Sequence, residues 1–444
     1  MKIELSGHYG VKRILLTSVP SVIMMIIISV YSIIDGIFVS NYAGTTAFAA
    51  LNLIFPALMI IGALGLMIGT GGSALVSKTI GEGDRDKANQ IFTMLIKFAL
   101  LLGTLLGILF FIFIEDVAIW LGAEGAMIAD CVLYGRICLI SMPAFVLQMA
   151  FQSFFMTAEK PSLGTKLSIA SGVTNVILDY LFVALCGWGL TGAAIATMLA
   201  QMVGGLYPLY YFTSKRANKS SLKFVTSRIE WCHIIKSCTN GLSEYVGNIS
   251  LSIVSMCYNI QLMKLIGENG VAAYGILMYI GFIFGAIFIG YNIAVAPVIG
   301  YNYGADNKKE LNSLLRKSLI ILSITGLLLT GISELLSTLI AKAFVSYDPI
   351  LEALTIRAIK IYMISFTLCG INMFVSAWFT ALNNGIVSAV AAFTRTLIFE
   401  LGCVFILPLF FGLDGVWMSV DVADFMALIL SVILLKSFKK RYGY

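Results

Sequence analysis

Apolar segments of 20 or more residues recur about a dozen times along this chain, and each is long enough to cross a bilayer as a helix. Hydrophobic residues make up 59% of the sequence and charged residues only 12%. An average soluble domain carries roughly 25% charged residues. No polar stretch is long enough to form a soluble domain of its own. The pattern therefore predicts an all-α, multi-pass membrane protein.

The apolar segments form two groups of six predicted helices, separated by the longest polar segment. We interpret that segment, residues 214–236, as a cytoplasmic linker between an N-lobe (1–213) and a C-lobe (237–444). The twelve predicted helices cover residues 14–40, 48–77, 91–114, 131–156, 162–186, 190–213, 237–264, 271–298, 314–341, 358–380, 385–411 and 415–435.

The second group of helices repeats the first. A shift of 223 positions places Gly81 on Gly304 and the turn Gly189–Gly192 on Gly412–Gly415, without a gap. Because six helices is an even number, both lobes enter the membrane from the same face. The repeat is then parallel, about a pseudo-two-fold axis along the membrane normal.

Basic residues indicate the orientation. If both termini lie on one side, that side receives most of the Lys and Arg near helix ends and leaves few, such as Lys264, Lys342 and Arg357, for the other. Because cytoplasmic loops are enriched in Lys and Arg, we expect both termini in the cytoplasm and the chain in the cell membrane. The net charge of +6 has the same origin, so nucleic-acid binding is not expected.

Cysteine and histidine residues give no metal motif. The eight cysteines are scattered, and there are only two histidines. No pair of cysteines has the spacing of zinc ligands, so we interpret them as packing residues. A proton carrier inside the membrane is therefore expected to be a carboxylate.

Four oxygen-bearing residues of the N-lobe are predicted to lie at one depth. Counting about 1.5 Å per helical residue places Asp35, Asp179 and Thr197 about 8–11 Å below the outer edge. Asn175 lies one turn from Asp179 on the same helical face. Two aspartates without a basic neighbour repel unless they are protonated or bridged by a cation. Oxygen ligands suit a proton or a hard cation such as Na⁺ and do not suit zinc; the alternative is a cluster that only joins helices.

Other charged residues lie within the predicted C-lobe helices. Glu244 is in the inner half of helix 7 and either faces a central cleft or is an interfacial acid. Arg395 is expected to pair with Asp424 or Asp421, which would offset the cost of burying either charge. We expect this pair to be structural.

Pro20 lies about four turns before Asp35 and is a candidate hinge, although a static kink is the alternative. Several aromatic, methionine and amide side chains could line a cavity for flat lipophilic cations, but each could equally be a packing residue. The candidates are Tyr31, Gln152, Phe155, Met256 and Tyr279.

The chain resembles the multidrug and toxic compound extrusion (MATE) family over nearly its whole length. The resemblance rests on Pro20 with Tyr31-Ser-Ile-Ile-Asp-Gly-Ile-Phe-Val-Ser, on Gly81-Glu-Gly-Asp, on Asn175 with Asp179, on Gly189-Leu-Thr-Gly-Ala-Ala-Ile-Ala-Thr197, and on Tyr301-Asn-Tyr-Gly-Ala-Asp. It implies two six-helix lobes arranged as a V, a bend of helix 1 near Pro20, and a cation site at Asp35, Asn175, Asp179 and Thr197. Glu244 matches an acid that takes part in some branches, whereas Arg395 with Asp421 and Asp424 departs from the family pattern.

The resulting functional expectation is efflux of lipophilic cationic compounds in antiport against H⁺ or Na⁺. Apart from the coupling ion no cofactor is expected, and the protein is expected to act as a monomer. The alternative is flipping of a lipid-linked precursor, which would favour a cleft lined with basic residues; this chain has few buried ones. The sequence has no nucleophile elbow, His cluster or metal motif of a membrane enzyme.

Overall fold

The computed structural model describes residues 4–42, 45–214, 220–346 and 348–444. Within these residues, eleven helices are long and apolar enough to cross a membrane, and one further span is a helix pair bent by 61°. The prediction of an all-α protein with twelve membrane spans is therefore confirmed. Residues 215–219 of the predicted linker lie outside the described part of the chain.

The N-lobe contains α1 to α7. Their bounds are α1 Val11–Tyr42, α2 Thr45–Gly81, α3 Arg85–Trp120, α4 Ala126–Ile140, α5 Met142–Thr157, α6 Pro161–Asp179, which continues as a π-helical turn over Tyr180–Leu185, and α7 Gly189–Thr213. The prediction of one continuous fourth helix is wrong, because α4 and α5 meet at Ser141 with the 61° bend. Pro143 stands in the first turn of α5, where its missing N–H removes no helical bond.

The C-lobe contains α8 to α15. Their bounds are α8 Trp231–Ile266, α9 Glu268–Gly304, α10 Lys308–Val345, α11 Pro349–Tyr362, α12 Phe366–Ala381, α13 Gly385–Phe393, which continues as a π-helical stretch over Thr394–Glu400, α14 Leu401–Ile406 and α15 Pro408–Tyr442. Helix α8 starts at Trp231, so the last part of the predicted linker is helical. Within α15, Gly412 has φ 57° and ψ −133°, so the chain turns there.

The sequence repeat is visible in the backbone between the second and third span of each lobe. Asp84 accepts a hydrogen bond from the N–H of Lys87 and so caps α3, while Asn307 does the same for α10 by accepting from the N–H of Glu310. These two caps are 223 positions apart, which is the offset of the repeat. Each cap offsets an unsatisfied N–H at a helix start.

The lobes meet at the end of the molecule that carries both termini, which we call the termini face. A Cβ on Gly71 of α2 would collide with the backbone of α8 at Ser237, and one on Gly241 of α8 would collide with the backbone of α2 at Met67. Small residues let helices approach this closely. We call this α2–α8–α9 contact the seam.

The seam is confined to one half of the spans in the contacts described. Ser237 Oγ donates to the carbonyl of Ile68, and Asn383 Nδ2 donates to the carbonyl of Ala74. In the opposite half of α9, Gly275 and Gly285 have no atom within 4 Å of a built Cβ. The described lobe contacts therefore close the termini face.

Candidate functional site

Two aspartates lie side by side in the N-lobe, inside the apolar part of the spans. Asp35 of α1 is 9% exposed and Asp179, the last residue of α6, is fully buried. Their carboxyl groups interact directly. Asp35 Oδ1 and both carboxylate oxygens of Asp179 have no hydrogen-bond partner among the described residues. Two carboxylates this close cannot both remain charged in apolar surroundings without a proton or a cation between them.

Asn175 and Thr197 lie next to this pair. Asn175 precedes Asp179 by one helical turn and is buried, and its Nδ2 points to Thr197 Oγ1 at 3.5 Å. Because Nδ2 faces Thr197, the other amide atom, Oδ1, is free, and it too has no partner among the residues described. The local geometry therefore presents several oxygen acceptors without donors, which is the ligand chemistry of a proton or a hard monovalent cation.

Tyr134 of α4 belongs to the same cluster and was not found from the sequence. It is fully buried, and its hydroxyl lies beside Thr197 and Cys138 and within electrostatic range of Asp35. The helix predicted over 131–156 placed Tyr134 three residues from its outer end, whereas α4 begins at Ala126 and places it eight residues in. Tyr134 adds a hydroxyl that can donate or accept. We call Asp35, Tyr134, Asn175, Asp179 and Thr197 the N-lobe cluster.

The C-lobe holds a buried ion pair. Arg395 Nε lies 2.5 Å from Asp424 Oδ1, and Arg395 Nη2 lies 3.3 Å from Asp424 Oδ2. Asn372 Nδ2 donates to the same carboxylate at 3.2 Å and is itself held by Ser431. Of the two partners expected for Arg395, Asp424 is therefore the one that pairs with it in the structure. A bidentate pair with a further donor is the geometry in which buried charges are compensated.

Two more carboxylates surround this pair. Asp421 lies one turn before Asp424, with Oδ1 buried and without a partner among the described residues. Glu400, at the end of the π-helical stretch that also carries Arg395, is buried and interacts electrostatically with Arg395 and Asp424. The hydroxyl of Tyr258 lies close to both Glu400 and Asp421. These C-lobe residues therefore include a cation, Arg395, whereas the five residues of the N-lobe cluster include none.

The residues expected to line a cleft are not brought into one cavity. Phe155 is buried in the N-lobe core against Phe151 and Phe212, at ring distances of 5.8 and 6.4 Å. It is a packing residue in this conformation, and its place in a cleft stays a prediction. Gln152 is also buried, with Nε2 3.3 Å from Met149 Sδ.

The remaining cleft candidates differ from one another. Met256 is 66% exposed, and Tyr279 is 40% exposed and stacks on Phe344. Glu244 of α8 is partly exposed, and the carbonyl of that residue accepts from Asn248. Tyr31 alone of the candidates lines one of the two cavities described.

That cavity is an apolar groove of about 350 Å³ between α1 and α6. Tyr31 sits at its wall, packed against Gly172, and interacts with Asp35. The groove therefore adjoins the N-lobe cluster. Its lining residues are Ile26, Ile27, Val30, Tyr31, Ile34, Ile169, Gly172, Val173, Val176 and Ile177.

Pro20 lies inside a continuous α1. Thr165 Oγ1 of α6 donates to the carbonyl oxygen of Pro20 at 2.7 Å. This bond fixes α1 to α6 at the level of the proline, on the side of the membrane that adjoins the termini face.

One group of metal-ligating atoms was not anticipated from the sequence. Glu230, Cys232 and His233, at the start of α8, have ligand atoms within 4.8 Å of one another. His233 Nε2 and Glu230 Oε2 are 3.2 Å apart, three residues along the helix. This ordinary pair accounts for the grouping, so we infer no metal site from it.

Comparison with known proteins gives consistent matches. The family model MatE matches residues 20–181 and again residues 245–406, one match in each lobe. The multidrug export protein MepA of Staphylococcus haemolyticus is 23% identical over 426 residues, covering 96% of this chain and 93% of that protein. MepA of Staphylococcus aureus strain NCTC 8325 is 22% identical over 424 residues, with the same coverage of both chains.

Solved structures match over almost the entire chain. A crystal structure of MATE in complex with MaL6 has a TM-score of 0.93 at 24% identity and covers 99% of this chain and 98% of its own. An outward-facing MATE transporter of the MOP superfamily has a TM-score of 0.92 at 24% identity, with the same coverage. A MOP superfamily transporter from Pyrococcus furiosus, described as having a binding pocket of reverse polarity, has a TM-score of 0.90 at 25% identity over 99% of this chain and 98% of its own.

Proposed function

Because this chain belongs to the MatE family of membrane transporters, we propose that it exports lipophilic cationic compounds in exchange for H⁺ or Na⁺. The observation that carries the proposal is the contact between Asp35 and Asp179, which have three buried oxygens without a donor among the described residues. An intramembrane carboxylate that has no counter-charge is costly and usually functional. A proton or a small cation from solution provides the missing charge.

The substrate class follows from the surroundings of the N-lobe cluster and from the relatives. The groove between α1 and α6 is apolar and leads to Tyr31 and Asp35, so it suits the apolar body of an amphiphilic cation. The two MepA proteins are named multidrug exporters. At 22–23% identity this name supports a broad class and no single compound. Arg395 is paired with Asp424, which leaves no free buried guanidinium there for an anionic lipid precursor.

Ion binding and substrate binding are coupled because the ion site and the substrate groove are built on the same two helices. The N-lobe cluster is built largely on α1 and α6, and these two helices also form the groove. When the coupling ion leaves, the two carboxylates repel each other, and this repulsion disfavours the close approach of α1 and α6. Ion binding favours that approach and narrows the groove, so the ion and the compound compete for one arrangement of the helices. Such reciprocal coupling is required by linkage.

The orientation of transport follows from charge. Loops on the termini face are rich in Lys and Arg, and this charge bias supports a cytoplasmic position for that face. Because the seam lies at the termini face, the conformation described is closed to the cytoplasm. In this state the N-lobe cluster would exchange ions with the outside.

The test is ethidium efflux from proteoliposomes with pH and Na⁺ gradients imposed separately. Wild-type protein should respond to one of the gradients, and Asp35→Asn should abolish that response. Asp116→Asn, which changes an exposed aspartate on α3, is the matched control and should behave as wild type. Unchanged efflux by Asp35→Asn would refute the assigned ion site, and no gradient-driven efflux by wild type would refute the antiport function.

A further inference from the structure

The segment that precedes α1 is fixed in place although it is not helical. We call residues 4–10 the N-terminal strap. Leu5 and Tyr9 are each 1% exposed and belong to the hydrophobic core of the C-lobe. Tyr9 shares a small apolar contact region with Val295 of α9 and Leu314 of α10. A segment that is covalently part of the N-lobe is thus buried in the other lobe.

Polar contacts fasten the N-terminal strap to α10. The N–H of Tyr9 donates to Glu310 Oε1 at 2.7 Å, and His8 Nδ1 lies 2.7 Å from Glu310 Oε2. Lys317 Nζ donates to the carbonyl of Tyr9 at 2.7 Å. Glu310 is itself buried, so both of its carboxylate oxygens are used by the strap. Hydrogen bonds to a charged group are stronger than neutral ones.

Other contacts hold the strap on the N-lobe side. The N–H of Leu5 donates to Glu159 Oε1 at 3.0 Å, in the turn between α5 and α6. Arg13 of α1 stacks on the ring of Tyr9 at 4.2 Å and donates to the carbonyl of Glu4. The strap therefore has a defined shape that bridges the lobes across the termini face.

We propose that the N-terminal strap is a latch that stabilises the conformation closed at the termini face and must release Glu310 and Lys317 before the lobes part there. The inference rests on the proposed transport cycle, in which the two lobes separate at the seam. The strap bonds to Glu159 and α1 in one lobe and to Glu310 and Lys317 in the other. Separation of the lobes at this face therefore has to break one set of these contacts, and we expect it to break the set on α10. Release of the strap is then a step of the cycle.

The first test measures opening of the seam. Ser77 of α2 is fully buried and lies against Gly300 of α9, so Ser77→Cys, in a chain whose eight natural cysteines are replaced, reports access from the termini face. Labelling by a hydrophilic maleimide in nanodiscs should become about three- to tenfold faster with Glu310→Gln or with Lys317→Gln, the change expected for the net loss of one ordinary hydrogen bond. Glu334→Gln, on the far half of α10, is the matched control and should leave the rate unchanged.

Equal labelling rates in all these variants would overturn the latch. So would acceleration by Glu334→Gln as large as that by Glu310→Gln, because the effect would then not be specific to the strap. Two different strap variants are used so that one that fails to fold does not decide the outcome. The labelling comparison does not require transport, so it remains informative if wild-type protein fails to export ethidium.

The second test prevents release. In the same cysteine-replaced chain, His8→Cys and Glu310→Cys are joined by a short bismaleimide, and ethidium efflux is compared before and after the reaction. Efflux should be lost in the crosslinked protein and retained in either single variant treated with the same reagent. Full efflux by the crosslinked protein would show that the strap need not detach and would refute the proposal.

Discussion

Gly81 and Gly304 occupy matching positions in a reciprocal contact between the lobes. A Cβ on Gly81 would collide with the carbonyl oxygen of Tyr301, and a Cβ on Gly304 would collide with the carbonyl oxygen of Lys78. Each glycine therefore lies against the residue three positions before the other. The repeat offset of 223 relates both members of each pair. The pseudo-two-fold axis consequently passes close to this crossing of α2 and α9.

This crossing predicts the effect of Gly304→Val. The added side chain has no room against α2, so we expect a loss of about 1–3 kcal/mol in stability of the closed arrangement. Gly285→Val on the same helix is the control, because a Cβ there meets no atom within 4 Å. Thermal unfolding followed by fluorescence of both variants would check this. A Gly304→Val protein as stable as Gly285→Val would contradict the close contact.

Asp179→Asn should stabilise the protein while impairing transport. Asn keeps the size of the side chain and removes one of two adjacent carboxylates with oxygens that have no donor among the described residues. We expect a gain on the order of 1–2 kcal/mol at neutral pH without coupling ion. Gradient-driven efflux should fall at least about tenfold, because the ion site loses a charge that the coupling ion neutralises. A variant that is less stable than wild type, measured against Asp116→Asn, would argue against repulsion between the two aspartates.

Tyr134→Phe tests whether the hydroxyl beside Thr197 and Asp35 takes part in ion binding. The ring remains to fill the buried space, so the fold should be retained. We expect the concentration of coupling ion at half-maximal efflux to rise by about three- to tenfold, as for loss of one hydrogen bond or ligand. Tyr180→Phe, at a 52% exposed position one residue after Asp179, is the control. An unchanged half-maximal concentration would exclude the hydroxyl from the site.

The C-lobe ion pair predicts that removing one partner lowers the stability of the protein more than removing both. Arg395→Ala leaves Asp424 buried without its partner at 2.5 Å, at a cost of about 3–5 kcal/mol. The double variant Arg395→Met with Asp424→Leu removes both charges and should recover much of that loss. Thermal melting of the detergent-solubilised protein provides the comparison. If the single and double variants have the same melting temperature, the ion pair does not contribute in this way.

The N-terminal strap predicts an alkaline dependence. Burial raises the pKa of Tyr9 from 10.0 to about 12. Since the pKa in the folded state is the higher one, the phenol contributes stability that is complete below pH 10.0 and lost as pH rises towards about 12. The difference in unfolding temperature between wild type and Tyr9→Phe should therefore be constant below pH 10.0 and change above it. A constant difference over the whole range would show that Tyr9 is not buried in solution.

The number of spans and four of the five members of the N-lobe cluster could be predicted, because helical geometry fixes depth and the spacing of residues on one helical face. A rise of about 1.5 Å per residue places Asp35 and Asp179 at one level without any knowledge of packing. Depth does not give the direction in which a side chain points. Phe155 was a cleft candidate because of its aromatic side chain, and the structure shows it packed against Phe151 in the lobe interior.

Other features had no signal in the sequence. Tyr134 joins the N-lobe cluster through its contacts with Thr197 and Asp35, which the sequence does not show. The strap is short, polar and without helical periodicity, so its burial depends on distant partners such as Glu310. Both cases depend on tertiary contacts between segments far apart in the chain.

The hydrogen bond from Thr165 to the carbonyl of Pro20 fixes α1 to α6 at one point, so the part of α1 beyond Pro20 can tilt about that point. Asp35 lies 15 residues beyond Pro20, a distance of about 22 Å at 1.5 Å per residue. Over this distance, a tilt of α1 by only about 10° displaces the carboxylate by about 4 Å. A rotation too small to disturb the packing at Pro20 is thus enough to separate Asp35 from Asp179.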